Sequence, residues 1–174
     1  SLEPEHPLQL LRASQRCETG QTWEWDGVRF EVLQPRAQDY AQPAKSNAMS
    51  CVLRIAGAQG SALLAGDIEA TQEARLVTEI GLQSDWLLVP HHGSKTSSTA
   101  AFIAAVAPQL AVVQAGYRNR FGHPAEPVLE RYAQAGVPLV DSPHCGALLW
   151  SSAQAEQWVC YRDIQRRYWH HRVP

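Results

Sequence analysis

Residues 87–98 read LLVPHHGSKTSS, and both the fold and the candidate site are read outward from them. The apolar run 86–89 has the length and composition of a buried strand, stops at Pro90, and hands over to two adjacent histidines in a Gly/Ser/Thr loop. A rigid strand that delivers polar side chains into a loop is a common way for a scaffold to present ligands and catalytic groups. Neutral imidazole binds Zn²⁺- and Mn²⁺-type ions and changes charge near neutral pH. His91 and His92 therefore offer one metal ligand and one acid or phosphate contact. The competing reading, a surface pair with no role, loses weight as the flanking sequence is added.

Upstream, SCVLRIA (50–56), a turn at 57–60 and SALLA (61–65) predict an aliphatic hairpin that ends at Gly66-Asp67. Before it, TWEWDGVRFEVL (22–33) alternates around Asp26-Gly27, the signature of a two-residue type I′ hairpin turn. Residues 34–45 hold Pro35 and Pro43 and read as a loop, and 1–22 as coil with one short element. After Asp67 the period changes: 69–80 predicts a helix stopped by Gly81. Downstream, 100–106 predicts a helix begun by Ser97-Ser98-Thr99, and 110–114 a strand. A loop at 116–124 then precedes a helix from about 126 to 135, and short strands follow at 138–140, 147–150 and 157–161. Hairpins followed by alternating strand and helix predict a layered α/β (α+β) domain rather than a bundle or a β-sandwich.

The bulk properties narrow the function classes. At 174 residues, with 45% hydrophobic and 18% charged residues, the chain predicts one globular domain at 21–162, between a lead-in (1–20) and a tail (163–174). No apolar run approaches the roughly 18 residues of a membrane span. A net charge of −2 gives no global basic footprint, so a polyanionic substrate must be held locally, by a metal or a few arginines. Cys17, Cys51, Cys145 and Cys160 lack CxxC spacing, which argues against a zinc knuckle; two disulfides or small core residues both remain open.

Three loops that follow aliphatic strands carry candidate ligands: Asp67, the His91/His92 pair, and His123. Loops from the same strand ends gather at one sheet edge in layered α/β folds. A carboxylate bridging two divalent ions, completed by imidazoles, activates water and clamps the oxygens of a phosphoryl displacement. Singly, Asp67 reads equally as a turn or cap aspartate and His123 as a satisfied loop histidine; together they point to a site. The loop 116–124 also carries Arg118 and Arg120 beside Tyr117 and Phe121, a mix suited to gripping phosphate and stacking a base. With Lys95 and Asn119 these are the candidate substrate contacts; the alternative is an ordinary solvated loop.

The ordered set LLAGD, VPHHGSKTSS and NRFGHP, over about residues 21–150, resembles the C-terminal hydrolase domain of the ComEC-type competence proteins, a branch of the metallo-β-lactamase fold. The resemblance implies part of an αββα sandwich and a two-metal site (Mn or Zn). In it Asp67 is the bridging ligand and His91 or His92 a ligand of the second metal, while the other histidine, Ser94 and His123 meet the scissile phosphate. It further implies a nuclease acting on single-stranded incoming DNA, joined to a membrane channel in the inner membrane and facing the periplasm or exterior. The family's early HxHxDH or HxDxDH cluster is absent; the one histidine before Asp67 is His6. The chain is therefore expected to be a C-terminal portion of the domain. It should bind metal weakly, be inactive alone, and expose apolar surface that favours a homodimer or domain swap. Two other classes are kept, a small phosphoester hydrolase and a non-catalytic DNA- or partner-binding module. The tail IQRRYWHHRVP (164–174) reads as a terminus or a single-strand contact, His170 and His171 are not counted as ligands, and His144 in SPHCG is left unassigned.

Overall fold

The computed structural model describes residues 7, 15–41, 44–78, 81–154 and 156–169. The expected short element before residue 15, His6, and the tail histidines His170 and His171 lie outside the described residues. Strands β1 (Thr22–Trp25) and β2 (Val28–Gln34) pair antiparallel through Asp26 and Gly27, whose φ of 50° and 74° are the double left-handed geometry of a type I′ turn. The predicted loop 34–45 contains a 3-10 turn, Ala37–Ala41, and a second one, Ser46–Met49, leads into β3 (Val52–Gly57). β3 and β4 (Gly60–Leu64) form the aliphatic hairpin.

From β4 onward each strand is followed by a helix: α1 (Ala70–Leu76), β5 (Trp86–Leu88), α2 (Ala100–Val106), β6 (Leu110–Val113), α3 (Glu126–Gln134) and β7 (Leu139–Asp141). The result is a seven-stranded sheet in sequential order, antiparallel from β1 to β4 and parallel from β4 to β7. This is the predicted layered α/β domain. All of β6, LAVV, is buried, as expected for a central parallel strand covered on both faces.

One sheet face, through Leu63, Leu87, Ala111 and Val113, packs against Phe102, Ile103 and Val106 of α2 and Val128 and Tyr132 of α3. The opposite face is also apolar. Register aligns Phe30, Ile55, Ala62, Trp86 and Leu110 in one row and Leu53, Leu64, Leu88, Val112 and Val140 in the next. The first row continues to Trp23, stacked on Phe30 at 5.0 Å and 47% exposed.

The helix predicted over 69–80 is shorter, ending at Leu76. Thr78 closes it, its amide and hydroxyl both bonding the Arg75 carbonyl in competition with the helical ladder; residues 79 and 80 are outside the described residues. Beyond β7 come two four-residue helices that periodicity did not predict, α4 (Ser142–Cys145) and α5 (Tyr161–Ile164). They flank a separate hairpin, β8 (Leu148–Trp150) with β9 (Trp158–Cys160). All four cysteines are paired: Cys17 with Cys51, and Cys145 with Cys160. The first bridge and the bond from the Thr19 amide to the Pro35 carbonyl tie residues 17–19 to the sheet.

Candidate functional site

The loops after β4, β5 and β6 lie at one edge of the parallel half of the sheet, and two glycines let them close on one another. Gly66 has φ +60°, and a Cβ there would stand 3.1 Å from Ser50 Cβ. The bare backbone lets the Ser50 hydroxyl accept from the Asp67 amide at 3.1 Å, while the Gly66 carbonyl accepts from the His91 amide at 2.9 Å. Gly93, at φ +77°, lies so close to Pro124 that a Cβ would meet its Cβ at 2.7 Å. This contact, with the Ala125 amide bonded to the Gly93 carbonyl at 2.9 Å, sets the His123 loop against the His-His loop.

The tight turn Pro90–Gly93 places both histidines in left-handed backbone conformations, His91 at φ 51°, ψ 40° and His92 at φ 55°, ψ 22°. Consecutive non-glycine residues there cost on the order of 1–2 kcal/mol each, and such strain concentrates at functional sites. The two rings face different partners. The His92 Nδ1 is 2.7 Å from the Gln114 carbonyl, which can only accept, so Nδ1 carries the proton. Nε2, which carries the lone pair when the ring is neutral, lies 3.5 Å from Asp67 Oδ1. The His91 ring is held at both ends: Asn47 Nδ2 lies 3.3 Å from Nε2, and Glu69 Oε1 lies 3.4 Å from Nδ1. The Thr96 hydroxyl, donating to Glu69 at 3.1 Å, braces the carboxylate.

The His123 ring meets His91 edge-on with centroids 6.0 Å apart and stacks on Phe121 at 5.8 Å. Its Nδ1 is buried without a hydrogen-bond partner. Burial lowers its pKa from the ordinary 6.5, and the positive charge that His91 and His92 carry when protonated lowers it further. The backbone of His123 is held by Asn119, which accepts from its N–H at 3.0 Å and donates to its carbonyl at 2.5 Å.

Beneath these loops Glu73, fully buried, accepts from the Ser98 and Thr99 amides at 2.5 and 2.8 Å, and Arg131 donates to the Ser97 and Ser98 carbonyls. Loop 94–99 is thus pinned to α1 and α3 by charge-assisted bonds.

Of the residues expected from sequence, Asp67, His91, His92 and His123 come together. Ser94 is buried, its hydroxyl turned into the loop towards Thr96 Oγ1 at 3.1 Å. The Asn119 amide is engaged by its own loop, while Lys95, Arg118 and Arg120 are exposed on the rim. There Arg118 lies over Tyr117 and Arg120 over Phe121, at 5.2 and 4.8 Å. His144 is bonded through Nδ1 to Asp141 at 2.7 Å. Sequence reasoning assigned no role to Asn47, Ser50, Glu69 or Gln114; Glu69 stands two residues beyond Asp67, and the other three carry no local signal. Among the described residues no group of three His, Cys, Asp or Glu side chains is arranged to hold a metal ion. No helix among them is long and apolar enough to cross a membrane.

No protein-family model matches the chain. It is similar to Competence protein ComA of Neisseria gonorrhoeae, 36% identical over 86% of this chain and 21% of that protein. It is likewise similar to Recombination protein 2 of Haemophilus influenzae, 35% identical over 66% of the chain and 14% of that protein. ComE operon protein 3 of Bacillus subtilis is 31% identical over 78% of the chain and 17% of its own length. The relatives of this chain thus include a competence protein, and the chain spans 14–21% of the length of these three.

Proposed function

We propose that the chain is part of a metal-dependent nuclease domain of a DNA-uptake protein, built as one half of a metallo-β-lactamase-like sandwich, and that Asp67 and His92 are its metal ligands. The observation that carries this reading is the approach of Asp67 Oδ1 to His92 Nε2, 3.5 Å apart. With the His92 ring neutral, two acceptors face each other across a gap close to the roughly 3–3.5 Å between two donors bonded at about 2.0–2.2 Å to one ion. The bond to the Gln114 carbonyl is the outer partner that metal-bound histidines ordinarily have. The unpartnered His123 Nδ1 supports the same placement, and competence relatives support DNA uptake as the setting. Among the described residues the donor set is incomplete, which fits an arrangement in which another part of a longer protein supplies further ligands. The incompletely covered part of the second apolar sheet face, from Trp23 and Phe30 to Leu64 and Leu88, is the surface such a layer would cover. Two disulfides suit an oxidising, periplasmic or extracellular location.

In this reading the ions, when bound, supply Lewis-acid neutralisation of phosphate charge and a water acidic enough to be deprotonated near neutral pH. His92 and Asp67 hold them. His91, fixed by Asn47 and Glu69, has both ring nitrogens engaged and serves as a phosphate contact rather than as the ligand. His123, neutral near pH 7 because burial lowers its pKa, presents an uncharged ring to the phosphate. Arg118 and Arg120 draw in the strand, and Phe121 offers a base a stacking surface.

The exposed arginine–aromatic rim also favours a second reading, a module that binds single-stranded DNA without cutting it. An NMR titration of the 174-residue chain with Mn²⁺ separates the two. Broadening of His92 and Asp67 signals first, abolished by Asp67→Ala, supports the metal site; DNA binding with no Mn²⁺ effect at either residue supports the module.

A further inference from the structure

Ser142 lies 28 residues beyond Gln114, opens α4, and touches no residue assigned above to metal or phosphate. Its hydroxyl nevertheless brackets the backbone of Ala115, accepting from the Ala115 amide at 3.0 Å and donating to the Ala115 carbonyl at 2.8 Å. The Ala115 amide shares one planar trans peptide with the Gln114 carbonyl, so the N–H and the C=O point in opposite directions. One end of that plane meets Ser142 Oγ, and the other accepts from His92 Nδ1 at 2.7 Å. The chain turns away from the sheet after the last β6–β7 pair, Val113 with Asp141, so no further ladder bond is available to fix this peptide. The serine hydroxyl takes the place of that missing strand partner.

We infer that Ser142 is the positioning residue for His92. Through a single peptide plane it sets the direction of the Gln114 carbonyl, and through that carbonyl the tautomer and aim of the imidazole whose Nε2 faces Asp67. The platform is stiff because α4 is tied at both ends. A four-residue helix has no stability of its own. α4 is held by the Asp141 side chain, which accepts from the His144 amide at 2.8 Å, and by the bridge from Cys145 to Cys160. The aim of His92 therefore depends on a segment outside the three motif loops.

The inference rests on the metal reading for its consequence and on the metal-free chain for its test. In the wild-type chain without metal, long-range ¹H–¹⁵N NMR at pH 8 is expected to show His92 as the Nδ1–H tautomer and the Ala115 amide as protected from exchange. Ser142→Ala is expected to give mixed His92 tautomers and about a tenfold higher Mn²⁺ concentration for half-maximal broadening at His92. Ser142→Thr, which keeps the hydroxyl, restores both. An unchanged tautomer and unchanged Mn²⁺ response in a folded Ser142→Ala chain overturns the inference. Should that variant not fold, free exchange of the Ala115 amide in the wild type overturns it equally, and protection upholds the bracket. If Mn²⁺ leaves wild-type His92 untouched, the metal reading fails and the tautomer measurement still decides the positioning role.

Discussion

Asn47 and His91, 44 residues apart, meet at 3.3 Å between the side-chain amide nitrogen and Nε2. The contact joins the turn before β3 to the loop after β5 and leaves the His91 proton on Nδ1, facing Glu69. Asn47→Ala removes the donor and lets the ring change tautomer or rotate. In the complete domain this is expected to lower metal-dependent DNA cleavage about tenfold. The melting temperature should move little, because Asn47 is only half-buried. Cleavage at the wild-type rate would count against a role for His91 at the phosphate.

Gly93 tests the meeting of the two histidine loops. Gly93→Ala places a methyl within 2.7 Å of Pro124 and adds a side chain at a left-handed backbone position. A destabilisation of about 2 kcal/mol or more is expected in urea unfolding, with displaced His123 ring signals. An alanine variant as stable as the wild type, with unchanged His123 shifts, would show that the loops do not pack this way.

His123 carries a pH dependence whose sign follows from its lowered pKa. The unfolded chain takes up the proton near 6.5, the folded chain only at lower pH. The unfolded state therefore binds more protons in that window. The stability contributed by the neutral ring is fully present above about 6.5 and is lost as pH falls through the folded value. NMR titration of the metal-free chain should place His123 below the usual histidine range, and His123→Gln should flatten the fall in urea midpoint between pH 7.5 and 5.5. Titration at or above 6.5 contradicts the burial argument.

Phe121, 66% exposed and stacked on His123, contributes little to folding and is available to a nucleic-acid base. Phe121→Ala is expected to weaken single-stranded DNA binding about tenfold, the scale of one stacked base. Arg120→Ala should instead reduce the slope of log affinity against log salt by about 0.7, one phosphate contact on a single strand. Unaltered affinity and slope in both variants would make the loop an ordinary solvated one.

Most of the fold was legible because its signals are local. Asp26-Gly27 dictates a type I′ turn wherever it flanks alternating residues, and the 100–106 helix carries its own cap in Thr99, which accepts from the Phe102 amide. α4 escaped because four residues hold no period, although Asp141, Pro143 and Gly146 are cap, first-turn and stop residues in order. The disulfide pairing depends on which segments meet in space, which spacing does not encode. At the site, the motif loops named Asp67, His91, His92 and His123. Gln114 was invisible because it acts through its backbone carbonyl, and Asn47 because its partner is 44 residues away. The choice between His91 and His92 likewise depends on what each second nitrogen touches.

The most direct measurement of the central claim is cleavage of single-stranded DNA with Mn²⁺ by the complete domain, wild type beside Asp67→Ala, with the 174-residue chain alone in parallel. Metal-dependent cleavage by the wild-type domain, its loss in Asp67→Ala and none from the isolated chain are the predicted results. Undiminished cleavage by Asp67→Ala, or none by the complete wild-type domain at any Mn²⁺ concentration, would contradict the assignment of this site to metal-dependent phosphodiester hydrolysis.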